Sequence, residues 1–332
     1  MSVSKADFRP FPGLKNRHVQ SILASAKWRI PLMRTRLLRM LEHSQDEIWS
    51  DGEGTLLHSL YARQSKQRSR GLVVLIHGWE GSHKSVYMRS AASACFEAGY
   101  DVICLNLRDH GPSHAFNEGL FNASRLPETV GVLSQILLKT DYTNYALVGF
   151  SLGGNFALRC AAAFSSMTLP KCFAQVLAVC PVVDPAHTFS ALNLGPAVYR
   201  KYFIKKWKRS LNEKSVHFPH LIASDTVAGF KTLDAMTERL VKEHTEFTSV
   251  EAYFESYRLA PAMFNALNIP STILWSKDDP VIPHVPEYKD FASEMLRIEL
   301  SERGGHCGFI KDYRLNSYVD SWLLNKLANQ NH

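Results

Sequence analysis

The chain has no run of about 18 uninterrupted apolar residues, the least that crosses a bilayer as a helix. Its most apolar stretches, Leu72 to Ile76 and Val176 to Val183, have the length of buried strands. A secretory leader is also missing, because Met1 to Gly13 mixes Lys5, Asp7 and Arg9 with two prolines and has no apolar centre; it reads as mature sequence. Cysteine is sparse and unpatterned. The six (Cys95, Cys104, Cys160, Cys172, Cys180 and Cys307) form no C-x-x-C pair, and most lie in apolar segments, which argues against a disulfide scaffold and for a reducing, cytoplasmic setting. With neither C-x-x-C nor H-E-x-x-H present, no metal is expected, and Asp109, His110 and His114 are not read as ligands. No repeat or low-complexity tract occurs; only Gln64 to Arg70 resembles a polar loop.

What is present suits one large α/β unit. The 332 residues are 45% hydrophobic and 21% charged, the balance of a globular protein. A net charge of +7 and a pI near 9.0 favour something anionic, whether a membrane surface, nucleic acid or an acidic substrate. No nucleic-acid reader motif accompanies that charge, so nucleic acid is not expected as a partner. Apolar runs at Leu72 to Ile76, Asp101 to Leu105, Tyr145 to Gly149, Phe173 to Cys180, Ser271 to Trp275 and Leu296 to Leu300 predict strands. Amphipathic segments at Ser85 to Glu97, Arg125 to Leu138, Leu152 to Phe164 and Tyr313 to Leu327 predict helices around a mostly parallel central sheet. The expected division is an N-terminal helical segment (1–45) packing on the core, the first part of the core (46–180), a helical lid insertion (181–268) and the second part of the core (269–332).

The chemistry begins at Gly149-Phe150-Ser151-Leu152-Gly153, a G-x-S-x-G between a strand and a helix. A nucleophile on so sharp a turn needs neighbours without Cβ atoms, which Gly149, Gly153 and Gly154 supply. A neutral hydroxyl also needs a base. His306, in Gly304-Gly305-His306-Cys307-Gly308 after the last expected strand, is the candidate. The carboxylate that would orient it comes from Asp278-Asp279-Pro280 after the Ser271 to Trp275 run, and Asp279 is preferred over Asp278 for its spacing to Pro283. Charge that develops on the attacked carbonyl oxygen needs preorganised N–H donors. Leu152, at the start of the nucleophile helix, is one; Trp79, in the His77-Gly78-Trp79-Glu80-Gly81 loop, is the other. His77, Gly78 and Phe150 beside these motifs, with Tyr202 and Phe203 further on, are the expected substrate contacts.

Together these stretches, with Asn16-Arg17-His18-Val19-Gln20 near the start, resemble the YheT-like branch of the α/β-hydrolase superfamily, related to the abhydrolase-domain lipid and ester hydrolases. The resemblance covers nearly the whole chain. It implies an α/β-hydrolase fold and cleavage of carboxylic esters, either short acyl esters or acyl lipids, by a Ser-His-Asp triad through an acyl-enzyme and without a cofactor. Two positions depart from the family pattern: Arg17 stands where proline is usual, and Asp109 where a glycine is expected. An acyltransferase using the same acyl-enzyme is the alternative, and a non-catalytic binding protein a weaker one.

Tyr199 to Arg209 sets Tyr199, Tyr202, Phe203 and Trp207 on one helical face with cations elsewhere, which marks a lid helix. It reads equally as an ordinary solvated helix, or as one that touches the inner membrane surface peripherally. Arg29, Arg34, Arg36 and Arg39 among Leu32, Leu37, Leu38 and Leu41 pose the same choice. Oligomeric state is not legible.

Overall fold

The computed structural model describes residues 3–65, 69–168, 172–265 and 267–329, so the centre of the Gln64 to Arg70 loop lies outside the described residues. Nine strands form one sheet: β1 (Val3–Lys5), β2 (Ser44–Ser50), β3 (Leu56–Ala62), β4 (Leu72–Ile76), β5 (Asp101–Leu105), β6 (Tyr145–Phe150), β7 (Gln175–Val179), β8 (Ser271–Ser276) and β9 (Leu296–Ser301). Their order is β1-β9-β8-β7-β6-β4-β5-β3-β2, parallel throughout except for the hairpin β2–β3 and its join to β5.

The central strands are apolar at every position because both faces of the sheet are covered. In β4 the alternation is plain: Val73 and Leu75 face one core cluster, Leu72, Val74 and Ile76 the other, and each is essentially unexposed. Burying such a side chain stabilises the fold by roughly 1.5–3 kcal/mol. One face packs under α4 (Leu126–Lys139) and α5 (Leu152–Ser165), through Leu133, Ile136 and Phe156. The other packs under α2 (Arg34–Glu42), α3 (Val86–Glu97) and α12 (Tyr318–Ala328), through Met40, Cys95 and Leu323. Helix α2 packs one face on the core, with Leu37 and Met40 buried and Arg36 on Asp320 at 2.6 Å, and leaves Leu38 exposed.

Between β7 and β8 the chain forms α6 (Pro185–Leu194), α7 (Ala197–His217), α8 (Ser224–Gly229), α9 (Leu233–His244), α10 (Val250–Ser256) and α11 (Pro261–Asn265). Near the N-terminus, α1 (Arg17–Ser25) is capped by Asn16, whose side chain accepts the N–H groups of His18 and Val19. Two features differ from the sequence reading. Strand β1 pairs with β9 at the sheet edge, which a three-residue exposed segment does not announce. The last helix begins at Tyr318, not Tyr313, because Leu315 takes φ +58°, Ser317 caps the helix, and Ile310 bridges Ser317. No described helix is long and apolar enough to cross a membrane.

Candidate active site

Parallel strands deliver their C-terminal ends to one edge, where loops carry chemistry. Register sets the ends together: Ile76 of β4 is level with Gly149 of β6, Phe150 with Val179 of β7, and Ser276 of β8 with Ser301 of β9. The loops of Ser151, Asp279 and His306 therefore open on the same rim.

Ser151 sits at the turn from β6 to α5 with φ 54° and ψ −119°, a left-handed conformation that L residues avoid. Its N–H donates to Val179 O at 2.9 Å, and its carbonyl accepts the Asn155 N–H at 3.1 Å, so the turn is fixed on both sides. The flanking glycines are sterically required: a Cβ on Gly149 would meet Gly153 O at 2.1 Å, and one on Gly153 would meet Ile76 O and His77 O at 2.4 Å.

From Ser151 a hydrogen-bonded line runs through three loops. Ser151 Oγ lies 3.0 Å from His306 Nε2, and His306 Nδ1 lies 2.8 Å from Asp279 Oδ2. The other Asp279 oxygen, Oδ1, accepts the N–H groups of Val281 and Ile282 at 2.8 and 2.9 Å, which locks the carboxylate in its turn. Asp278 does something else. Its Oδ1 accepts the Ser276 hydroxyl at 2.5 Å and the Gly305 N–H at 2.9 Å, tying the turn after β8 to the histidine loop. Burial works against an imidazolium at His306, but the charge of Asp279, helped by Cys307 and the Asp279 hydrogen bond, carries its pKa up to about 9.

Among the described residues one trio of metal-capable groups stands close together: Cys180, His306 and Cys307, with ligand atoms within 4.8 Å of one another. Both His306 nitrogens already face Asp279 and Ser151, so this trio offers a cation two thiols and no free imidazole. His110 is occupied as well, and His114 is engaged at one nitrogen. His110 accepts the Glu80 N–H at Nε2 and meets Arg108 O through Nδ1; His114 Nε2 meets Ser210 Oγ.

The loop of His77 to Gly81 lies beside Ser151. A Cβ on Gly78 would come to 3.0 Å of Ser151 Cβ, and the Gly78 N–H donates to Tyr87 Oη at 3.0 Å. Trp79 follows, its ring stacked on Phe203 of α7 at 4.9 Å and edge-on to Trp207 at 5.3 Å. Leu152 occupies the first position of α5, where N–H groups have no partner within the helix. Two expected substrate contacts, His77 and Phe150, need correction. His77 is fully buried with both nitrogens engaged, Nδ1 to Gly78 O and Nε2 accepting the Leu107 N–H, so it joins two loops instead of facing a ligand. Phe150 is buried against Tyr87 beneath the turn. Tyr202 is 46% exposed and close enough to Tyr87 and Glu80 for their charges to act on one another, while Tyr199, Phe203 and Trp207 make the inner face of α7.

Sequence reasoning missed what holds the histidine loop. Ser21 Oγ accepts the His306 N–H at 2.8 Å and donates to Arg17 O at 2.7 Å. Buried Gln20 clamps Ile310, accepting its N–H at 2.6 Å and donating to its carbonyl at 3.0 Å. Gly305, at φ +57°, leaves no room for a Cβ, which would meet Arg17 O at 2.4 Å. His18 Nδ1 meets Tyr199 Oη of α7 at 3.0 Å. The Asn16 to Gln20 stretch thus joins α1 to the histidine loop on one side and to α7 on the other; the stretch stood out in the sequence, but nothing there revealed these partners.

Comparisons with known proteins agree with this architecture. The chain is 24% identical over 340 residues to "Putative esterase YheT" of Escherichia coli (strain K12), covering 98% of this chain and 95% of that protein. It is 22% identical to "Abhydrolase domain-containing protein 2" of Drosophila melanogaster, covering 92% of this chain and 79% of the other. Among solved structures, the Pyrococcus furiosus esterase Pf2001 superposes with a TM-score of 0.56 at 16% identity, over 87% of this chain and 91% of that one. A family profile described as alpha/beta hydrolase fold matches residues 71–313, and the chain belongs to that family.

Proposed function

We propose that the protein is a serine esterase that cleaves carboxylic esters through an acyl-enzyme, with Ser151 as nucleophile, His306 as base and then acid, and Asp279 as the orienting carboxylate. The observation that carries this reading is the unbroken line Asp279–His306–Ser151 at 2.8 and 3.0 Å, ending on a serine held at positive φ. The esterase names of two similar proteins point the same way.

In the first half-reaction His306 Nε2 takes the Ser151 proton as Oγ attacks the ester carbonyl, and returns it to the departing alkoxide. Asp279 fixes the tautomer that leaves Nε2 free to accept. The N–H groups of Leu152 and Trp79 stabilise the oxyanion, each donor of this kind being worth roughly a hundredfold to a thousandfold in rate. Water then attacks the acyl-enzyme with His306 again as base, so water is the only co-reactant. The acyl group lies against Phe203 on the aromatic inner face of α7 and the Trp79 ring stacked on it, with the helices of 181–268 serving as a lid.

A fluorophosphonate probe should label the wild type and not Ser151→Ala. Turnover of a p-nitrophenyl ester series should fall by roughly a millionfold in the variant, the scale seen when a serine hydrolase loses its nucleophile. An unlabelled wild type, or labelling that survives the substitution, overturns the assignment.

A further inference from the structure

We propose that the outer face of α7, together with the exposed apolar side chains of α1, is a docking surface for an anionic lipid bilayer. The proposal deepens the esterase reading and rests on it for the purpose of docking, which is to bring acyl substrate to the mouth above Ser151.

Helix α7 has two unlike faces. Its inner face covers the Trp79 loop, and Lys206 Nζ donates to Glu80 O at 3.1 Å, so the helix is one thickness away from the candidate oxyanion donors. Its outer face forms a shallow groove lined by Lys201, Ile204, Lys205, Lys208, Arg209 and Lys231, with no carboxylate among them. The single acidic residue of α7, Glu213, lies away from the groove, 3.4 Å from His114. Lys208 Nζ is held by the carbonyls of Ala228 and Phe230 at the end of α8, and with the other four cations it makes a positive field that favours an anionic surface.

Charge alone would suit nucleic acid as well. The apolar side chains around it decide for a bilayer. Val198 is 56% exposed and Leu194, at the end of α6, 86%. The His18–Tyr199 contact sets α1 alongside α7, and Ile22, one helical turn on from His18, is 52% exposed. Trp28, just past α1, is 60% exposed beside Lys27, whose charge is felt at Lys206. Exposed aliphatic and indole groups on α1 and α7, two helices in contact, gain little from a phosphodiester backbone. They are what an acidic headgroup layer with acyl chains beneath it binds.

The test is co-sedimentation with vesicles of phosphatidylcholine, with and without phosphatidylglycerol, using Ser151→Ala so that binding is read apart from turnover. Binding should require phosphatidylglycerol and weaken with salt. Each basic residue at an anionic leaflet is worth about fivefold in partitioning, so Lys201→Glu/Lys205→Glu/Arg209→Glu should bind at least about a hundredfold more weakly while the same reversals in the active chain still turn over a water-soluble ester. Ile22→Ser/Val198→Ser should also bind more weakly; it removes no charge and carries the comparison should the triple reversal fail to fold. Equal recovery of parent and variants, or binding of single-stranded DNA in place of vesicles, overturns the proposal. Vesicle binding by a protein that hydrolyses no ester would leave docking standing and remove the esterase reading instead.

Discussion

Asp279 Oδ1 receives two backbone N–H groups while Oδ2 faces His306, so its geometry survives loss of charge but its influence on the imidazole does not. That separates two effects in Asp279→Asn. An amide there favours the wrong tautomer and should lower kcat by about 10⁴, as it does in the chymotrypsin-type triad. It also removes the charge that does most to hold His306 at about 9, leaving burial, which lowers it, opposed by Cys307 alone. The base must be neutral to accept a proton, so the acid limb of kcat/KM should lie above 6.5 in the wild type, toward 9, and move down in the variant. A limb that stays in place contradicts the coupling. Asp278→Asn retains an oxygen acceptor for Gly305 and should leave the limb unmoved. The choice between these adjacent carboxylates was legible only as a spacing to Pro283, whereas Ser151 and His306 were marked by their glycines. Which way His77 and Phe150 point was not legible, because nearness to a motif in sequence says nothing about which side of a turn a ring packs on.

Among the elements, α7 is anchored by an ion pair with almost no access to water. Lys214 Nζ donates to Asp109 Oδ1 at 2.8 Å and to Asn117 O, while Asp109 Oδ2 accepts the Phe121 N–H at 2.8 Å. Burial pushes the Asp109 carboxyl up and the Lys214 amine down, and each partner's charge opposes that push. Asp109 adopts φ +56°, which explains the glycine expected at this position: the chain has kept a glycine-like backbone and used the added carboxylate to hold a helix. Lys214→Met leaves that carboxylate buried and unpaired and should cost about 3–5 kcal/mol in urea denaturation. Asp109→Asn/Lys214→Met should recover part of the loss. A double variant no more stable than the single one refutes the pairing as the cause. The sequence showed Asp109 to be unusual, but its partner lies 105 positions away on a helix whose register could not be anticipated.

On the scale of the whole molecule, the rim beside the site rests on buried neutral histidines. Asn106 Nδ2 lies 2.7 Å from His58 Nδ1 and 2.9 Å from His83 Nδ1, and the His77 and His110 rings are 4.7 Å apart. Burial lowers all four, His77 and His83 to about 4 and His110 well below its ordinary value. Their unfolded counterparts take up protons near 6.5. Stability should therefore fall as pH drops from 6.5 toward 4, since the unfolded chain gains protons that the folded one refuses. His306 acts in the opposite sense, with stability present below 6.5 and lost as pH rises through about 9. Urea midpoints across pH 4 to 7 read the first effect, and a flat profile would contradict it. The parallel strands were legible because burial on both faces forces unbroken apolar runs. The edge strand β1 and the histidine pairings depend on contacts between distant segments, which no local pattern encodes.

Gln20 grips Ile310 across 290 positions, and Ser21 holds the backbone of His306. During synthesis the serine turn is accordingly made long before His306, and the helix that seats the His306 loop earlier than both. Under the esterase proposal, activity would be withheld until Gln20 and Ile310 meet, so a product cut between Ser151 and His306 would carry the hydroxyl but not the imidazole.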